Sequence, residues 1–330
     1  MRILAVDDDQ IALDILGSSL EDAGYRDFVV ALSGADALEA IRATDRPFDI
    51  FLLDIQMPDI DGIELCAKVR NLPKYKSSPI IMITAMSERH FIDGAFAAGA
   101  TDYVSKPFDP VELAVRISLA AHVVTQNWEI ETSISEVEYL KMRSGISTNL
   151  DSTNAFDINE ISRVVGVTAM ENYLLRLTTG MARQSQSVAF AIDGFELLHA
   201  NMSSVELYDT LTDTAEAIAC GFKRVEHLIT YCGNGEFVAV CHKAANLQDG
   251  SLLVDIQNTL DSFESFFPNG NPCSLKLRKS KCYIPKFWAA SNSMNLLSKP
   301  LAFLSEERLV LDTKKKIISC CRRAKSRDLA

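Results

Sequence analysis

Residues 48–62 read FDIFLLDIQMPDIDG. The first seven of them, FDIFLLD, are nearly all apolar until the last, Asp54. Strands buried on both faces of a parallel sheet read this way, because neither face meets water. An acid at the end of such a run marks the point where the strand leaves the core.

The surrounding sequence repeats the pattern. ILAV reads as a first strand, followed by a helix over IALDILGSSLEDAG that Gly24 ends. FVVAL and ADALEAIRA form the next strand and helix, and DGIELCAKVRN is the helix after FDIFLLD. PIIMITA with ERHFIDGAFAAGA, and DYVS with DPVELAVRISLAAHVV, complete residues 1–122. Five such strand–helix units predict an α/β domain with a doubly wound five-stranded parallel sheet. Sites in such sheets lie at the carboxyl ends of the strands.

The reactive side chains fall at those ends. Asp7 and Asp8 close the first strand, Asp54 the third and Thr84 the fourth, while Lys106 follows the fifth and precedes Pro107. Converging carboxylates repel one another and recruit a cation, and hard oxygen ligands suit Mg²⁺. Asp9 is expected to cap the first helix.

These residues stand in VDDD at 6–9, LLDIQMPDIDG at 52–62, ITA at 83–85 and YVSKPF at 103–108. With these motifs, residues 1–122 resemble the receiver domain of bacterial two-component response regulators, which has a flavodoxin-like fold. The resemblance implies that Asp54 is the phosphoacceptor, and that Asp7, Asp8, Asp54 and the backbone carbonyl of Gln56 hold Mg²⁺. It implies that Lys106 assists the transfer, that the Lys106–Pro107 bond is cis, and that Thr84 and Tyr103 form a switch pair. The phosphodonor would be a sensor histidine kinase or a histidine phosphotransferase. The resemblance also implies that Gln56 and Met86 occupy positions that tune phosphoryl lifetime, and a methionine at 86, unable to position water, predicts slow autodephosphorylation.

Bulk properties fit a two-domain globular protein: 330 residues, 48% hydrophobic and 23% charged. Residues 1–122 carry about −9 of the net −11, so nucleic acid is not an expected partner of the first domain. No apolar run approaches the length that spans a bilayer, the acidic start MRILAVDDDQ does not read as a signal peptide, and a cytoplasmic location is expected. The eight cysteines include no CxxC, and Cys320 and Cys321 are adjacent. Reduced thiols are the expectation.

Residues 123–157 read as a linker. Its first half has helical spacing through Trp128, Ile130, Ile134, Val137 and Leu140, and its second half is a polar loop. The apolar stripe suits either a homodimer seam or docking on its own domain. INEISRVVGVTAMENYLLRLTTG at 158–180 superficially resembles a helix-turn-helix, but Asn172 falls where the second helix should bury an apolar residue, and no basic cluster follows.

Beyond it the chain reads as α+β: a strand and turn in SVAFAIDGFELL, a helix in LYDTLTDTAEAIACGFKR, and two strands around a loop in HLITYCGNGEFVAVC. A helix in LLVDIQNTLDSFESFF, a strand in CSLKLRKSKCYI and a helix in NLLSKPLAFLSEERL follow. Residues 313–330 form a basic tail. The order of elements, with GNGEF at 233–237, AIDGF at 191–195 and RVVGVTAMENY at 163–173, gives residues 158–312 a resemblance to the GGDEF domain, the diguanylate cyclase fold.

That resemblance implies two divalent cations held by carboxylates from two strands, yet the matching positions are Ala191 and Gly235. Asp193 matches the non-ligating acid, and Glu236 alone cannot hold two metals. In the signature after Gly233, Asn234 replaces a glycine that the nucleotide approaches. His199 stands for the guanine-reading asparagine, Tyr208 for a late catalytic aspartate and Met170 for an arginine, while the inhibitory RxxD motif survives only as Arg224 with His227 in the acid's place. The expectation is a domain that keeps a fold and has lost the reaction, acting on an unknown protein target or by homodimerising. The alternatives are a nucleotide or cyclic di-GMP receptor, an active diguanylate cyclase and a DNA-binding regulator.

Overall fold

Strand β1 (Ile3–Val6), β3 (Ile50–Leu53) and β4 (Ile80–Thr84) are buried at every residue in the computed structural model, which explains their continuous apolar sequence. The structure describes residues 1–85, 88–125, 157, 158, 161–202, 204–243, 247, 250–263, 275–285 and 292–306. The expected linker helix and loop at 126–156, Met86, and the basic tail lie outside these residues.

The chain divides into two units, the first comprising Met1–Asp151 with Phe156–Leu177, the second Ser152–Ala155 with Thr178–Ala330. In the first, β2 (Phe28–Ala31) and β5 (Asp102–Ser105) flank the buried strands in the order β2-β1-β3-β4-β5. Every pairing is parallel. The helices between them are α1 (Gln10–Asp22), α2 (Gly34–Ala43), α3 (Gly62–Arg70) and α4 (Arg89–Ala97), with α5 over 110–125 after the last strand. Leu13, Leu16 and Leu20 of α1 pack with Leu113, Ile117 and Val124 of α5 into one core with the sheet.

Strand order reverses between β1 and β3. The crevice at their carboxyl ends is therefore the switch point of the sheet. The caps follow local chemistry: Asp9 accepts from the Ile11 amide, Ser33 from Asp36 and Asp61 from Glu64.

Helix α6 (Val167–Arg176) groups with the first unit. The pattern of elements assigned residues 158–177 to the second domain; their packing moves that boundary to 178. The reason is that α6 buries Met170, Tyr173 and Leu174 against α4 and β5.

The second unit is built on an antiparallel sheet of order β7-β8-β6-β9. The elements are α7 (Thr179–Arg183), β6 (Ser185–Ile192), α8 (Phe195–Asn201), α9 (Ser204–Gly221), β7 (His227–Tyr231), β8 (Glu236–His242), α10 (Ser251–Ser262) and β9 (Leu277–Lys279). A last helix, α11, spans 295–306. The sequence of strands and helices from β6 to β9 is a split βαβ arrangement, with β8 lying between β6 and β7.

Two expectations need correcting here. The turn expected after AID is the short helix α8, started by Gly194 in a left-handed conformation. The single strand expected over CSLKLRKSKCYI is regular only at Leu277–Lys279, because the Ser280 hydroxyl takes the Ala189 amide at 2.9 Å. Pairing resumes as an isolated bridge between Ser187 and Tyr283.

Candidate functional site

Parallel strands end together, so the residues just past β1, β3, β4 and β5 meet at one edge. Asp7, Asp8 and Asp54 converge there, with one carboxylate oxygen from each within 4.8 Å of the others. Asp7 and Asp54 are buried and Asp8 is exposed. The Asp54 amide donates to the Val6 carbonyl at 2.9 Å, so backbone bonding carries the position of Asp54 out beyond the strand. Gly62 closes the loop behind it: a Cβ there would lie 2.0 Å from the Asp54 carbonyl oxygen. Only glycine lets α3 start that close.

Lys106 enters from β5. Its Nζ lies 2.6 Å from Asp7 Oδ2 and 3.3 Å from Asp54 Oδ1. The Lys106–Pro107 peptide is cis, as the resemblance implied. Burial opposes the lysine's charge, but Asp7 and Asp54 outweigh it and raise its pKa. Burial raises the Asp54 carboxyl; Lys106 and a hydrogen bond from Thr84 pull it down, while Asp7 pushes it further up. Thr84 is fully buried at the end of β4. Gln56 lies exposed in the loop after β3.

Tyr103 is buried within β5. Burial and the Asp54 charge push its phenol up to about 12, against the pull of Arg176. Among the described residues its hydroxyl has no hydrogen-bond partner.

Three carboxylates form a set of hard oxygen donors, with the Lys106 ammonium already beside them. The donors fit a small divalent cation such as Mg²⁺, with Asp7, Asp8 and Asp54 able to hold it. Such an ion supplies charge neutralisation for phosphoryl transfer.

Residues 3–118 match the family model described as the response regulator receiver domain. Residues 3–118 are a response regulator receiver domain. The chain is 37% identical over 134 residues to the transcriptional regulatory protein YvrH of Bacillus subtilis (strain 168), covering 41% of this chain and 54% of that protein. It is 38% identical over 113 residues to the signal transduction histidine-protein kinase BarA of Shigella flexneri, covering 34% of this chain and 12% of the kinase. It is 39% identical over 114 residues to an uncharacterized 14.6 kDa protein of Leptolyngbya boryana, covering 34% of this chain and 84% of that protein. The chain thus spans about half of the first relative's length and about an eighth of the second's. Receiver domains bind Mg²⁺ at an acidic pocket of this kind, and a receiver implies a phosphodonor such as a histidine kinase.

The receiver carries a second set of residues that the sequence reading passed over. The Tyr173 hydroxyl donates to Asp93 Oδ1 at 2.8 Å, and Arg89 Nε lies 3.1 Å from Asp93 Oδ2. Asn172 Nδ2 donates to the Thr101 carbonyl at 2.9 Å. Arg176 donates to Glu112 at 3.0 Å and lies 3.9 Å from Asp102. Asn172 is the residue that spoiled the helix-turn-helix spacing, and that misfit was the available signal.

In the second unit, Gly233, Asn234 and Gly235 all have positive φ, forming the tip of the β7–β8 hairpin. Glu236 begins β8. Ala191 is buried opposite Glu236 and Arg278 in the sheet. Asp193 pairs with Arg278. A Cβ on Gly235 would lie 2.6 Å from the Phe195 ring. His199 lies in α8 and Tyr208 in α9, but Met170 is buried in α6, a part of the first unit. The match of RVVGVTAMENY to a segment of the second domain therefore fails on packing. Cys66, Cys220, Cys232, Cys241 and Cys282 are free thiols. No helix among the described residues is long and apolar enough to cross a membrane.

Proposed function

We propose that the chain is a response regulator in which phosphorylation of Asp54 controls a GGDEF-like domain without cyclase activity, which acts by binding a protein. The observation that carries the receiver half is Lys106 Nζ lying between Asp7 and Asp54 at 2.6 and 3.3 Å. An Asp54 carboxylate oxygen bonds to phosphorus as the bond to the donor imidazole nitrogen breaks, and the imidazole leaves with that electron pair. Lys106 faces the developing negative charge on the transferring oxygens. Asp7 holds the ammonium in place, and the hydrogen bond from Thr84 orients the acceptor.

The split βαβ sheet and the glycine-rich hairpin support the GGDEF-like reading of the second unit. The chemistry of its residues argues against catalysis. Ala191 and Gly235 offer no ligand, the space at Gly235 is taken by Phe195, and Asp193 is neutralised by Arg278. Fold alone does not confer function.

The test has two arms. Wild-type protein with Mg²⁺ and a small-molecule phosphodonor should gain one phosphoryl group, and Asp54→Asn none. Label on the variant refutes the acceptor. Phosphodonor-treated wild type given GTP and Mg²⁺ should form no cyclic di-GMP, and turnover would refute the inactive second domain.

A further inference from the structure

Helix α6 lies over three receiver elements at once. Asp93 and Phe96 of α4 meet Tyr173, whose ring packs edge-on to Phe96 with centroids 5.4 Å apart. Thr101, at the entrance to β5, takes the Asn172 amide. Glu112 of α5 and Asp102 of β5 take Arg176. Arg116 of α5 donates to Asp102 at 3.0 Å, so that acid is shared by two arginines. Tyr173 is only 3% exposed, and Met170 and Leu174 are fully buried beside it. The Tyr173–Asp93 contact is buried, so separating it would take the Tyr173 donor from Asp93, leaving that acid with Arg89 of its own helix. The opposite face, at Leu175, is exposed.

Tyr103 sits under this helix. Of the residues before it, Thr101 accepts a hydrogen bond from α6 and Asp102 lies 3.9 Å from Arg176, and its phenol feels the charges of both Asp54 and Arg176. Its ring is buried, and its hydroxyl and Arg176 Nε are both buried without a hydrogen-bond partner among the described residues. Tyr103 is only 2% exposed with α6 docked, so an outward swing of its ring would have to displace what covers it. Docked α6 and inward Tyr103 therefore exclude the alternative together, forming one two-state element.

We propose that α6 is an intrachain strap whose docking on α4, β5 and α5 is strengthened by phosphorylation of Asp54, so that the receiver signals through the strap. The proposal rests on the reading of Asp54 as acceptor. A phosphoryl group adds charge and acceptor oxygens beside Thr84. Keeping the Thr84 hydroxyl on that side preserves the space for the inward Tyr103 ring, and the inward ring is the one α6 can cover. The chain enters the second unit at residue 178, directly after α6, so the strap is the last receiver element before that unit begins. By reciprocity, whatever weakens docking must weaken retention of the activated acceptor by the same factor.

The experiment is amide hydrogen exchange on the full chain, with and without Mg²⁺ and beryllofluoride as phosphoryl mimic, in wild type, Asp54→Asn and Tyr173→Phe. Acetyl phosphate labelling of each protein runs in parallel. In wild type, exchange over 167–176 should slow by about fivefold or more, while α2 changes little. Asp54→Asn should show no slowing. Tyr173→Phe, which keeps the ring and removes the bond to Asp93, should exchange faster over 167–176 and bind beryllofluoride about fivefold more weakly. Labelling of wild type together with unchanged or faster exchange over 167–176 overturns the strap and leaves the acceptor standing. Absence of labelling on wild type overturns both.

Discussion

The Lys106 ammonium lies 2.6 Å from the Asp7 carboxylate, closer than its 3.3 Å approach to Asp54. Lysine is the internal countercharge of an acidic cluster, and any metal entering the cluster has to share the carboxylates with it. Lys106→Ala should therefore separate two properties. Phosphoryl transfer to Asp54 should slow by roughly 10²-fold, as expected when a charge-stabilising group is removed. Mg²⁺ should bind more tightly, because three carboxylates then lack their cation. Label incorporation and a Mg²⁺ titration followed by fluorescence measure the two. Weaker Mg²⁺ binding in the variant would show that Lys106 organises the acids instead of competing for them.

Metal binding should also be visible as stability. An ion held only by the folded site stabilises by about 2.7 kcal/mol at a hundred times its dissociation constant. Thermal unfolding of the wild type should shift upward with Mg²⁺, and EDTA should reverse the shift. In Asp54→Asn the shift should shrink markedly, since one anionic donor of the three becomes neutral. An equal Mg²⁺ shift in the variant would place the ion elsewhere.

Tyr173→Phe removes one hydroxyl and leaves Asp93, among the described residues, with Arg89 alone. A buried acceptor deprived of its donor costs about 1–3 kcal/mol. Denaturant unfolding of the first transition should show a loss in that range. A loss near zero would mean that Arg89 or water satisfies Asp93 fully.

The receiver site was legible because its signals are local. A strand buried on both faces must be apolar, so the acid ending FDIFLLD stands out, and parallel strands bring their ends together wherever they lie in sequence. The strap was not legible. Tyr173 and Asp93 are 80 positions apart, and each is an ordinary residue on an ordinary helix until the helices meet. Asn172 gave a warning as a polar residue in an apolar slot, which sufficed to reject a helix-turn-helix but could not name Thr101 as its partner. In the second unit the hairpin was readable from Gly233, Asn234 and Gly235. The break in the strand after Lys279 was not, because it depends on a serine hydroxyl meeting the Ala189 amide of another strand.

The hairpin carries the last prediction. Restoring acids at both lost ligand positions, Ala191→Asp with Gly235→Asp, should yield no cyclic di-GMP from GTP and Mg²⁺. Position 235 resists substitution on two grounds: its φ of +72°, and the Phe195 ring 2.6 Å from any Cβ. Position 191 is buried in the sheet, where an added carboxylate meets only Arg278 and Glu236 as cross-strand neighbours. Gly235→Asp alone should cost about 1–3 kcal/mol through strain and overpacking, read as a lower unfolding midpoint of the second unit. Phe195→Ala removes that ring, so its loss and that of Gly235→Asp should combine to less than their sum. If the double variant were as stable as wild type and formed cyclic di-GMP, the second unit would be a cyclase lacking only its metal ligands. If it were destabilised and inactive, then the space at Gly235 has been given over to packing.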